Sequence, residues 1–328
     1  MSDEKLKISV CGVGRLGKLH AKLLKEVENA ELIGVFDTDA EKKLKVAEEL
    51  NCLALEHWEE VLIRSQAVII VTPTTTHADL ALDAIYQNRH VFVEKPISDN
   101  SEDAREMVEA AGTVGVKLQV GHIERFNPAV LAVKDVDLKP RFIEVHRLAA
   151  FDPRGTDVAV VKDLMIHDLD LILKFVDSPV KEIRAVGVEV VSGDVDIANV
   201  RLEFESECVA NVTASRLSAK KMRKMRIFQD EGYISLDFLT GQAEIFKLSD
   251  KDEGPGAFVL GAIDKGVHRR NIVYLKPDAP QVNALLEEQK AFVNSVLNDK
   301  PVVVSGADAL KALELSEAIL QNMEKESR

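Results

Sequence analysis

The chain is 328 residues long, about twice an ordinary domain, so two domains are expected. A hydrophobic share of 46% beside 30% charged residues is that of a soluble globular protein, and a formal charge of −13 sets most of the surface against a polyanionic partner. Aromatic residues make up 5%, too few for the stacking platforms of nucleic-acid binding, and the longest apolar run, AVIIV at 67–71, is far too short to span a bilayer; neither partner is expected.

The opening MSDEKLKISV is charged and carries no secretory pattern, so a cytoplasmic location is expected. Short β-branched runs then alternate with helical patterns. KISVC (7–11) reads as a strand, RLGKLHAKLLKEV as a helix, ELIGVF (31–36) as a strand and AEKKLKVAEEL as a helix. A weak strand at LAL (53–55), a short helix at WEEVLIRS, a strand at AVIIV and a helix at HADLALDAIYQN follow. HVFV, the helix SEDAREMVEAAGTV and KLQVG (117–121) complete the set. Such βαβ units predict a doubly wound parallel sheet, an α/β Rossmann domain over 1–122.

Beyond 122 the rhythm changes to long strands with few helices: FIEVHRLAAF, KEIRAVGVEVV, IANVRLEF, CVANVTASRL, MRIFQ, YISLDF and AEIFKL. One helix is expected over 158–176 and two more at 282–297 and 306–324. This predicts an α+β domain over 123–328 with a large, mostly antiparallel open sheet, its C-terminal helix able to pack back on the first domain. KDEGPGAFVLGAIDKG (251–266), rich in Gly and charge, reads as a mobile loop. Cys11, Cys52 and Cys208 are odd in number and sit mostly in apolar contexts, as reduced core thiols rather than disulfide or metal ligands, and no metal constellation is visible.

The first strand runs into Gly12-Val13-Gly14-Arg15-Leu16-Gly17, a G-x-G-x-x-G at a strand-to-helix junction. Its glycines allow the tight turn, the approach of a pyrophosphate to the backbone and helix–sheet packing, with the anion at the helix N-terminus. Asp37, twenty residues past Gly17 at the end of the second strand, suits the ribose hydroxyls of a dinucleotide. Its carboxylate repels a 2′-phosphate, so NAD is expected over NADP, although Lys42 and Lys43 keep NADP open. Thr72, Pro73, Thr74 and His77 of VTPTTTH are expected along the cofactor groove, with Thr76 as a helix N-cap. In HVFVEKPIS, Lys95 is either a solvated lysine where Pro96 ends a strand or a cation aimed at a site; its place as the end of the fifth strand, with Glu94 beside it, favours the site.

These motifs, with VGHIERFNPAV (120–130) and DLMIHDLDLIL (163–173), resemble the oxidoreductase family named for glucose-fructose oxidoreductase, inositol dehydrogenase and the protein MocA, over essentially the whole chain. The resemblance implies that Lys95 serves catalysis and substrate binding and that Asp163 and His167 supply the acid/base pair. By residue spacing Asp163, His167 and Asp170 share one helix stripe. The implied reaction oxidises a secondary alcohol: His167, whose ordinary pKa of ~6.5 suits a base, takes the hydroxyl proton. Asp163 orients its ring and Lys95 steadies the oxygen. The alternative makes Lys95 the base.

The wording G-H-x-x-R-F-N-P with I-H-D-L-D looks most like the branch acting on UDP-linked N-acetylhexosamines at C3, and by the family pattern Arg125 and Asn127 contact substrate. The acid-free RLSAKKMRKMR (216–226) reads either as a diphosphate patch or as a protected strand edge. A free polyol such as an inositol is the second substrate reading, and a nucleotide-sensing regulator the alternative of another class. The resemblance also implies a homodimer or homotetramer.

Overall fold

The computed structural model describes residues 5–151, 158–250, 257–265 and 268–326. They form two compact units, one of Met1–Ile123 with Val282–Glu314 and one of Glu124–Gln281 with Leu315–Arg328.

The first unit holds a six-stranded sheet of β1 (Leu6–Cys11), β2 (Ala30–Phe36), β3 (Leu53–Ala54), β4 (Ala67–Ile70), β5 (His90–Glu94) and β6 (Leu118–Gly121). The order is β3-β2-β1-β4-β5-β6 and every pairing is parallel. Central strands buried on both faces must be apolar throughout, and AVII of β4 is fully buried. Connecting helices include α1 (Arg15–Leu24), α2 (Ala40–Leu50) and, after α3 (Trp58–Arg64), α4 (His77–Tyr86) and α5 (Ser101–Val114). Caps fix their starts: the Asp39 carboxylate accepts from the Lys42 N–H, and Asn100 accepts from Asp103.

Residues 282–314 complete this unit. Phe292 meets Phe92 edge-on at 5.8 Å within the core shared by α1 and the sheet. At the outer edge of β6 the Val120 N–H donates to the Val304 carbonyl at 3.1 Å, and Gln119 pairs with Ser305 in an antiparallel bridge. Because an uncovered sheet edge offers unpaired donors and acceptors, this segment closes what a 1–122 fragment leaves open.

The second unit is built on nine strands in the order β14-β15-β13-β12-β11-β7-β10-β9-β8. In chain sequence these are β7 (Phe142–Leu148), β8 (Val180–Val188), β9 (Ile197–Phe204), β10 (Val209–Ser215), β11 (Met222–Gln229), β12 (Gly232–Asp237), β13 (Gln242–Ser249), β14 (Ala257–Lys265) and β15 (His268–Leu275). Among the described residues of this sheet only β7 and β10 pair in parallel. Alternation decides the faces: Ile143 and Val145 of β7 are buried in a core with helix residues Met165, Leu169, Ile319 and Met323, whereas Phe142, Glu144 and His146 face away. On the far face a row of rings crosses the sheet, from Phe142 through Phe228, Tyr233, Phe246 and Tyr274 to Phe258, with neighbouring centroids 4.6–6.3 Å apart.

The loop expected over 251–266 is corrected here. Residues 257–265 form the edge strand β14, paired to β15 with a register shift between Val259 and Gly261; residues 251–256 lie outside the described residues. A glycine at an edge irregularity reads as a turn signal although the ladder continues past it. All three cysteines are free; Cys11 and Cys208 are buried and Cys52 half-buried, and burial pushes the thiols up, that of Cys208 to about 11. Among the described residues no helix is long and apolar enough to cross a membrane.

Candidate active site

In the first unit the carboxyl ends of β1, β2, β4 and β5 open on one cavity of about 830 Å³, lined from Asp37 at one end to Glu94 and Lys95 at the other. This is where an open parallel sheet places a ligand, at the switch in strand order between β1 and β4. Each motif glycine has its own cause. Gly12 has φ +82° and a Cβ there would lie 2.5 Å from the Val71 carbonyl oxygen. A Cβ on Gly17 would run into the Gly12 carbonyl oxygen, so helix α1 sits against the turn only with glycine. At Gly14 nothing lies within 4 Å of the missing Cβ, leaving backbone open to the cavity just where α1 begins with no side-chain cap and no acid in its first turn. Exposed N–H groups on open backbone fit a pyrophosphate.

Asp37 braces the same loop. Its Oδ2 accepts from the Val13 N–H at 2.8 Å and its Oδ1 from the Asp39 N–H at 2.9 Å, which fixes the carboxylate while lone pairs remain on the cavity side. Lys42 lines the cavity too, but its ammonium is 2.9 Å from Asp39. Arg15 and Leu16 border the groove and are exposed. The buried Lys43 pairs with Glu56 at 2.8 Å instead.

Thr72, Pro73 and Thr74 line the cavity as expected for a groove-side loop. Thr76 occupies the N-cap position of α4 but caps no N–H; its hydroxyl lies 2.7 Å from the Thr72 hydroxyl and 2.9 Å from the Pro73 carbonyl oxygen, holding the loop's own turn. His77 is 1% exposed, and its Nδ1 and Nε2 lie 2.9 and 3.0 Å from the carbonyl oxygens of Pro96 and Thr72. Burial pushes its pKa down while the two carbonyls pull the other way. It therefore ties the Thr72 loop to the turn after Lys95.

Lys95 is half-buried at the far end of the cavity, follows directly on β5 and is joined to Pro96 by a cis peptide bond. Its backbone N–H donates to Glu94 Oε2 at 3.1 Å, and Glu94 Oε1 lies 2.8 Å from Nε2 of His20. His20 and its partner Gln289 carry no assignment from the sequence; the positions are far apart, and periodicity shows only that His20 falls on the buried face of α1.

In the second unit Asp163 lies in a π-helical turn, Val161–Met165, that leads into α7 (Ile166–Val176). The extra residue in that turn breaks the single stripe expected for Asp163, His167 and Asp170. Asp163 and His167 are half-buried, whereas Asp168 and Asp170 are each 1% exposed and held by arginines. Arg125 bonds Asp170 with both prongs, at 2.8 and 2.5 Å, and Arg147 of β7 bonds Asp168 at 2.6 and 2.8 Å and Glu124 at 2.9 Å. Asn127 donates to Glu124 and the Phe238 carbonyl and accepts from Ala129, so it caps α6 (Pro128–Leu131). Within the second unit Arg125, expected at the substrate, and Arg147 are tied to α7 by these bonds, while Asn127, also expected at the substrate, caps α6. Removing one partner of such a buried pair costs about 3–5 kcal/mol.

In the acid-free run 216–226 Lys220, Lys221, Arg223, Lys224 and Arg226 are exposed, and several of its cations lie near acids. Arg216 is buried and donates to the Val158 carbonyl at 2.5 Å; Lys224 lies 3.1 Å from Asp237 and Arg226 3.5 Å from Glu144, while Arg223 is 3.9 Å from Glu124. The counter-charges come largely from the strands beside β11, invisible in the run itself. Among the described residues no group of three His, Cys, Asp or Glu could hold a metal ion.

Residues 6–122 match the model of an oxidoreductase family with an NAD-binding Rossmann fold, and residues 144–235 match the Gfo/Idh/MocA C-terminal domain. The chain is 35% identical, over 94% of each chain, to UDP-N-acetylglucosamine 3-dehydrogenase of Acidithiobacillus ferrooxidans, and 26% identical, over 98% and 97%, to myo-inositol 2-dehydrogenase of Thermotoga maritima. A solved structure of the Acidithiobacillus enzyme superposes with a TM-score of 0.87 at 32% identity, covering 98% of each chain. With both halves matched in order and a glycine-lined cavity ending at Lys95, the chain belongs to the Gfo/Idh/MocA oxidoreductases.

Proposed function

We propose that the chain is an NAD-dependent dehydrogenase that oxidises the C3 hydroxyl of a UDP-linked N-acetylhexosamine to the 3-keto sugar. The observation that carries this reading is the similarity to UDP-N-acetylglucosamine 3-dehydrogenase along 94% of both chains, against weaker similarity to inositol dehydrogenases. NAD is favoured over NADP because the fixed Asp37 carboxylate sits where a 2′-phosphate would need a cation, and Lys42 beside it is engaged by Asp39.

A bound dinucleotide supplies the hydride acceptor. Gly12, Gly14 and Gly17 admit its pyrophosphate, Asp37 accepts from its ribose, and the Thr72–Thr74 loop borders it. Lys95 donates to the reacting oxygen and disperses its developing charge, His167 takes the hydroxyl proton, and Asp163 orients the imidazole. Initial rates of absorbance at 340 nm across UDP-N-acetylglucosamine, other UDP-sugars and inositols, each with NAD⁺ and NADP⁺, test the reading. The expected result is turnover with a UDP-N-acetylhexosamine and NAD⁺. Preference for a free inositol would replace the substrate, and tight NAD(H) binding with no turnover on any substrate would favour a sensor.

The chain also acts as a homo-oligomer in this reading, burying the aromatic row of the far sheet face against the same row of a second copy. Placing a charge in the row by Tyr233→Glu is expected to shift sedimentation from an oligomer to a monomer; an unchanged coefficient would move the interface elsewhere.

A further inference from the structure

A buried chain of hydrogen bonds reaches the Lys95 end of the cavity from the side away from it. Gln289 of α8 (Ala284–Leu297) places its side-chain nitrogen 3.0 Å from both the His20 carbonyl oxygen and His20 Nδ1. The carbonyl can only accept, so the amide must present its N–H groups, and Nδ1 must then offer a lone pair. That leaves the hydrogen of His20 on Nε2, 2.8 Å from Glu94 Oε1. The imidazole is fully buried, with the Phe92 ring 5.4 Å away.

The Glu94 carboxylate is held on its other sides as well. Oε2 accepts the Lys95 N–H, and a Cβ on Gly121 would come within 2.8–3.0 Å of both carboxylate oxygens, so only glycine in β6 leaves room for the group. A carboxylate with this many fixed neighbours does not rotate away when a ligand arrives.

From these contacts we infer that His20 and Gln289 are positioning residues that hold the Glu94 carboxylate as a fixed anion at the nicotinamide end of the cavity, favouring the oxidised, cationic ring over the neutral reduced one. The inference rests on the dinucleotide reading: with the glycine turn and Asp37 at one end, the end of β5 is where the nicotinamide half falls. The ring gains a positive charge only when oxidised, so an anion in a partly desolvated cleft discriminates between the two forms. The neutral Nε2–H tautomer gives Glu94 a hydrogen bond without a cancelling charge.

The dissociation constants of NAD⁺ and NADH, measured by calorimetry on the full chain without substrate, test this. His20→Leu removes the donor, and the ratio Kd(NADH)/Kd(NAD⁺) is expected to fall by about five- to tenfold, mostly through weaker NAD⁺ binding. His20→Gln, whose amide nitrogen can stand in for Nε2–H, is expected to restore most of the ratio. Gln289→Met, which removes the tautomer lock but keeps the volume, is expected to lower it about twofold to fivefold, and keeps the test open if His20→Leu does not fold. Equal weakening of both forms in the Leu and Met variants, or an unchanged ratio, would reduce the network to packing and overturn the inference. No binding of either form to the unaltered protein would instead remove the cofactor reading itself.

Discussion

Lys95→Met is expected to lower kcat with the preferred sugar by about 10²–10³-fold or more while leaving the Kd for NAD⁺ within about threefold. The side chain stands at the end of the nucleotide cavity, and its backbone is held from both sides by the Glu94 carboxylate and by the His77 bridge to Pro96. A methionine keeps the bulk and removes the donor, so the loss reports charge stabilisation at the reacting oxygen rather than packing. Initial rates and calorimetric binding on one preparation separate the two. Retention of kcat within tenfold would remove Lys95 from the chemistry; loss of NAD⁺ binding in step with kcat would make it a cofactor residue only.

His167→Asn is expected to cost about 10²–10⁴-fold in kcat/KM and to change the shape of the pH profile. A base must be unprotonated to act, so the activity of the unaltered enzyme falls as pH falls through the imidazole's titration. The asparagine variant has nothing to titrate there, and its acid limb should be flat. Asp163→Asn, which leaves the base in place but loosens its orientation, is expected to lose about tenfold and keep the limb. A profile with its acid limb intact in His167→Asn would assign the base to Lys95. The position makes this test clean: Asp168 and Asp170, on the same helix, are already paired with Arg147 and Arg125, so α7 stays seated when His167 is changed.

The parallel sheet was legible because its strands are short runs of β-branched residues buried on both faces, and the glycine turn was legible because its three roles demand glycine at fixed spacing. Asp37 and Lys95 followed from their places at strand ends. What stayed hidden depends on partners remote in the chain. Nothing near Arg125 announces Asp170, and nothing near Arg147 announces Asp168, so these buried pairs are not legible in the sequence. The same holds for residues 216–226: acids that face them sit on β7 and β12, so the run by itself left a diphosphate patch and a protected strand edge both open. A π turn leaves no periodic trace, so Asp163 and His167 looked collinear with Asp170. His20 stood in plain view in GRLGKLHA, but its meaning needs Glu94 and Gln289, 74 and 269 positions away.

The discontinuity of the first unit has a bearing on how the chain is made. Its sheet edge at β6 and the pocket around Phe92 are closed by Val304, Ser305 and Phe292, which the ribosome delivers 171 to 184 residues after β6 ends at Gly121. At translation rates of roughly 5–20 residues per second, the nascent parallel sheet waits about 9–37 s with the outer edge of β6 unpaired. Over this interval the emerging chain is open to chaperone capture and to pairing with a neighbouring copy, and the threat ends only when the last helices arrive.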